Sequence, residues 1–88
     1  MDIGKELQAL YDSEINFSIS TEWDAGYHWK LGDEMNGFVA EGWEKPIEAA
    51  VEQLLDAVRK HRPQSEYVVG KEKFEQRYHL HVVKGETA

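Results

Sequence analysis

The chain changes its apolar period once, and the change divides it into a sheet and a helix. Ile15, Phe17, Ile19 and Trp23 alternate with Asn16, Ser18, Ser20 and Glu22, the two-residue period of a strand with one face on a core. Asp24-Ala25-Gly26 predicts a tight turn, after which Tyr27, Trp29 and Leu31 alternate with His28 and Lys30. A loop, Asp33-Glu34-Met35-Asn36-Gly37, ends in Asn-Gly, whose residues tolerate the positive φ of hairpin turns. The third strand, Phe38 to Trp43, is expected to point Phe38, Ala40 and Gly42 inward and Val39, Glu41 and Trp43 outward. Such short connections imply an antiparallel meander, apolar on one face.

From Ile47 the period becomes helical. Ile47, Ala50, Val51, Leu54, Leu55 and Val58 fall at i, i+3, i+4, i+7, i+8 and i+11, with Pro46 at the start and Pro63 beyond the end. Acids come early (Glu48, Glu52) and bases late (Arg59, Lys60, Arg62), as the helix dipole favours. Ahead of the strands, Ile3, Leu7, Leu10 and Tyr11 make one stripe of a short helix with Asp2 as N-cap. The tail is ambiguous: Tyr78, Leu80 and Val82 alternate with His79 and His81, yet Phe74, Tyr78 and Val82 also lie at helical spacing. The expected fold class is α+β, in the order α-β-β-β-α: a short N-terminal helix, a three-stranded antiparallel meander and one long amphipathic helix on the sheet. Residues 1–63 form the domain. Residues 64–88 are a C-terminal extension, either a fourth strand or partly disordered.

Composition narrows the function classes. With 88 residues there is room for one core and little for a deep, dry catalytic cavity. Hydrophobic content of 41%, with three Trp, four Tyr and three Phe, marks a folding chain. The formal charge of −7 repels phosphate backbones and anionic membranes. With no cysteine, disulfides and thiolate metal sites are excluded. Met1-Asp2-Ile3-Gly4-Lys5-Glu6 lacks the apolar core of a secretory signal, and a cytoplasmic setting is expected. No nucleophile elbow or glycine-rich phosphate loop is present, so no cofactor is expected.

Three resemblances bear on the block. Its element order, over about residues 2 to 61, is similar to that of double-stranded-RNA-binding domains, which meet phosphates with lysines at the start of the second helix. Here that place reads Glu44-Lys45-Pro46-Ile47-Glu48, one base among two acids, so its charge opposes the RNA-binding role. The passage Gly37-Phe38-Val39-Ala40-Glu41-Gly42 followed by Pro46-Ile47-Glu48-Ala49-Ala50 resembles the strand-to-helix passage of HicB-type antitoxins. That likeness, over roughly residues 15 to 61, implies a meander, a helix and often a final strand, with a toxin-neutralising role. The stretches Leu10–Phe17 and Leu31–Phe38 resemble a group of small bacterial proteins to which no function attaches.

Candidate chemistry is sparse. The outer sheet face is expected to gather His28, Lys30, Glu41 and Trp43 beside Ser18 and Ser20. Trp43 there is an interface anchor, or else a lid folded over the helix start. An exposed edge strand offers pairing to a protein partner or to a second copy. His79 and His81, with Glu72, Glu75 or His28, are weak candidates for a metal site, against the simpler reading of a solvated strand face. The function expected is a non-catalytic protein-interaction or regulatory module, antitoxin-like or adaptor. A metal protein or enzyme using His79 and His81 is the alternative.

Overall fold

The computed structural model describes residues 1–71, with elements α1 (Ile3–Asp12), β1 (Phe17–Glu22), β2 (Gly26–Asp33), β3 (Gly37–Glu44) and α2 (Ile47–His61). This is the expected α+β fold, its strands forming an open antiparallel sheet in the order β1-β2-β3. Among the described residues no helix is long and apolar enough to cross a membrane.

Both ends of α1 follow from local chemistry. The Lys5 amide donates to Asp2 Oδ1 at 3.1 Å, which satisfies one of the free amides of the first turn. At the other end the Ile15 amide donates to the Leu10 carbonyl (3.1 Å) and the Glu14 amide to that of Tyr11 (3.0 Å). This pair of bonds defines a Schellman motif, and Glu14 takes the left-handed position with φ of 60°. Leu10 and Ile15, the two residues such a motif brings together, both belong to the core.

The sheet departs from a strict two-residue alternation at two places. Trp23, expected on the inner face, sits in the β1–β2 turn and is 97% exposed, because β1 ends at Glu22 and Trp23, Asp24 and Ala25 make the turn. Phe38, also expected inward, lies on the outer face. Leu31 faces Ala40 while Gly32 faces Phe38, so Val39 is a bulged residue that reverses the side of everything before it. Gly32 permits this with φ of +118°, where a Cβ would collide with the Gly37 carbonyl oxygen.

The core lies between the inner face of the sheet and the helices. It holds Leu10, Ile15, Trp29 and Leu31 with Ala50, Val51, Leu54, Leu55, Ala57 and Val58 of α2. α2 packs over β2 and β3, leaving Phe17 and Ile19 of β1 half-buried. Trp29 crosses the interface: its indole N–H donates to Gln53 Oε1 at 2.9 Å, and Gln53 Nε2 donates to Glu44 Oε1 at 2.6 Å. Gly42 makes room for it, since a Cβ there would stand 2.6 Å from Trp29 Nε1.

The core does not stop at residue 63. Past Pro63 the chain turns back, residues 66–71 are helical, and Tyr67 and Val68 are buried in the same core. The Tyr67 hydroxyl donates to Glu6 Oε2, and Lys71 Nζ reaches Glu6 Oε1 and Oε2 at 3.0 and 2.8 Å, clamping this segment to α1. The boundary expected at 63 therefore cuts through packed structure. The expected strand through Tyr78, Leu80 and Val82 lies outside the described residues.

Candidate functional site

The outer sheet face is built by register. Ser20 pairs with His28 and His28 with Trp43; in the next row Ser18 pairs with Lys30 and Lys30 with Glu41. All four predicted residues thus project from one surface. The His28 and Trp43 rings lie parallel, with centroids 4.0 Å apart and planes 5° apart. Trp43 remains 44% exposed, a broad aromatic face among the polar side chains of this surface. It rests on His28 and is absent from the core cluster, so it does not close over the core as a lid.

Stacking has a consequence for His28. Its side chain is only 14% exposed, and Nε2 is sealed from solvent without a hydrogen-bond partner among the described residues. The Glu41 carboxylate stands 3.7 Å from that nitrogen, too far for a hydrogen bond. Beside this pair, Lys30 Nζ lies 4.9 Å from the centroid of the Phe38 ring, a cation–π contact. The bulge at Val39 creates that contact by turning Phe38 outward. Alternation alone could not have found Phe38, which is 41% exposed, or placed it beside Lys30.

The other polar clusters serve structure. Burial pushes the Glu6 carboxyl up, but the hydrogen bonds from Lys71 and Tyr67 outweigh it and leave the group below its ordinary value. The same contacts hold the Lys71 ammonium above its ordinary value against burial, while burial and the Glu6 carboxylate raise the Tyr67 hydroxyl. Asp33 caps the β2–β3 loop: it accepts from the Asn36 amide at 2.7 Å and from Asn16 Nδ2 at 2.8 Å. Those bonds, with that from the Asn36 side chain, hold its carboxyl below the usual range. An open cleft of about 500 Å³ lies near this loop and the end of α2, lined in part by Asn16, Asp33, Asn36, His61 and Arg62. Its polar groups are largely occupied with one another, Asp33 with the two asparagines and Arg62 with the His61 carbonyl.

Among the described residues no group of three or more His, Cys, Asp or Glu side chains could hold a metal ion. The candidates His79 and His81, with Glu72 and Glu75, lie outside the described residues. His28 faces Trp43 and Glu41. Comparison of the chain with protein-family models, curated proteins and solved structures finds no match.

Proposed function

We propose that this domain is a non-catalytic interaction module of the bacterial cytoplasm, antitoxin-like or adaptor in role, that captures a protein partner through its outer sheet face or a sheet edge. The observation that carries the reading is the half-exposed Trp43 ring lying flat on His28. Tryptophan is enriched among residues that dominate interface energies, because one rigid ring removes a large apolar area from water at little entropic cost. The stack fixes the ring before any partner arrives, which reduces the ordering cost of binding. Lys30, Glu41, Ser18 and Ser20 around it supply polar groups of both signs, the composition of an interface rim.

The test compares capture by wild type and by Trp43→Ala from the host lysate, with far-UV circular dichroism as the folding control. A specific, stoichiometric partner should be retained by the wild type, and its affinity should fall roughly 30-fold or more on truncation, about 2 kcal/mol. Unchanged capture by a folded Trp43→Ala protein removes the outer-face reading. Unfolding of that variant also removes it, since Trp43 would then belong to the core.

A further inference from the structure

The sheet has two edges, and they are built differently. The β3 edge carries the bulge at Val39 and two glycines, Gly37 and Gly42, and runs into Lys45-Pro46, all features that discourage strand pairing. The β1 edge carries none of them. It reads Phe17-Ser18-Ile19-Ser20-Thr21-Glu22, without Pro, Gly, Lys or Arg, and its register with β2 runs unbroken from Phe17 opposite Leu31 to Glu22 opposite Gly26. Among the described residues nothing pairs with its outer side.

The backbone of β1 is also in phase for a partner. The Gly32 amide donates to the Asn16 carbonyl at 2.8 Å. Bonds of an antiparallel ladder alternate, so Ser18, Ser20 and Glu22 direct their backbone groups to β2 while Phe17, Ile19 and Thr21 direct theirs outward. Phe17 and Ile19, the half-buried residues at the margin of the helix layer, are therefore also the ones whose amides and carbonyls face the edge. Backbone pairing and burial of apolar surface are available at the same positions.

We propose that β1 pairs antiparallel with β1 of a second copy about a two-fold axis at Ile19, giving a continuous six-stranded sheet. In this register Ile19 faces the partner's Ile19, Phe17 faces the partner's Thr21 and Ser18 faces the partner's Ser20. Every outward backbone group of Phe17, Ile19 and Thr21 finds its complement. Charge does not oppose this occupant along the strand despite the −7 on each chain, because the only charge on β1 is Glu22 at its end. Six residue steps at about 3.3 Å separate the two copies of Glu22 by roughly 20 Å, about two Debye lengths at physiological salt. Each Glu22 instead faces the partner's Asn16, whose amide keeps one hydrogen beyond its bond to Asp33. The interface is isologous and closes at two copies. It is independent of the Trp43 reading, which concerns the face of the sheet and not its edge.

The test uses the full chain in sedimentation equilibrium across a concentration series. The expected result is a reversible dimer of twice the 10.2 kDa chain mass. Thr21→Pro removes only an outward-facing amide, so it should halve the mass while circular dichroism stays native. The cysteine-free background allows a register check. Under mild oxidation Ile19→Cys should crosslink to its own copy, because paired residues across such a ladder lie about 5.5 Å apart, within disulfide reach. Glu22→Cys, roughly 20 Å from its copy in this register, should not. A monomer mass at every concentration overturns the proposal, and so does a dimer that survives Thr21→Pro. A dimer lost on Trp43→Ala but kept in Thr21→Pro would move the interface to the outer face and overturn it as well.

Discussion

Gly42→Ala is the sharpest test of how sheet and helix fit together. The added Cβ would stand 2.6 Å from Trp29 Nε1, 2.9 Å from Trp29 Cε2 and 2.9 Å from Gln53 Oε1. Gly42 does not occupy the left-handed region, so the backbone itself accepts alanine. Removing a glycine from a strand interior even returns about 0.5–1 kcal/mol. The obstacle is the indole, which is only 5% exposed and held between β3 and α2. Overpacking a core costs about 1–3 kcal/mol. Displacing the ring also breaks its bond to Gln53 and leaves a buried N–H unpaired, about 1–3 kcal/mol more. The net loss should be about 2–4 kcal/mol, from a total of roughly 4–13 kcal/mol for a chain of this length. Urea unfolding followed by tryptophan fluorescence reads it directly. With a slope near ~1 kcal/mol per M, the midpoint should fall by roughly 2 M or more at unchanged slope. In a Trp29→Phe background the ring no longer carries Nε1, and the added cost of Gly42→Ala should shrink by about 1 kcal/mol or more. A midpoint within about 0.3 M of wild type, or an equal cost in both backgrounds, would refute the steric account.

Further expectations follow from other residues. Glu14→Gly should raise stability by about 0.5–1 kcal/mol, seen as a melting temperature several degrees higher, since glycine accepts the left-handed position of the Schellman motif without strain. Because the folded Glu6 carboxyl titrates below its ordinary value, the stability it adds is present above the ordinary range near ~4.3 and is lost as pH falls through the folded value. The stability difference between wild type and Glu6→Gln, measured by urea unfolding across an acid series, should therefore narrow on acidification, and a constant difference would remove Glu6 as the clamp. Lys71 and Tyr67 titrate above their ordinary values, so their share is present below about pH 10 and is lost as pH rises further. Lys71→Met should flatten the alkaline limb of the stability profile. Phe38→Ala should cost well under about 1 kcal/mol by chemical denaturation, because its ring is exposed on the outer face against Lys30; a loss above about 2 kcal/mol would contradict the outward placement.

Local pattern decides whatever repeats over a few residues. The alternation from Phe17 to Leu31 and the helical spacing from Ile47 to Val58 each set one face toward a core, because a side chain's direction follows from local backbone geometry. The Asp2 cap, the helix start at Pro46, the turns and the element order were legible for the same reason. So were His28, Lys30, Glu41 and Trp43 as one outer surface, since even positions of β2 and odd positions of β3 meet once the hairpin closes. Tertiary structure decided what depends on partners distant in the chain. Val39 bulges only because β2 and β3 meet around Gly32, and that single residue moves Phe38 from the core to the Lys30 side. Trp23 leaves the inner face because pairing stops at Glu22, a limit set by where β2 begins. Glu6 meets Tyr67 and Lys71 across more than 60 positions, and Trp29 meets Gln53 across 24. No local period encodes such contacts; they form only when helices and sheet close over one core and their polar groups must find partners inside it.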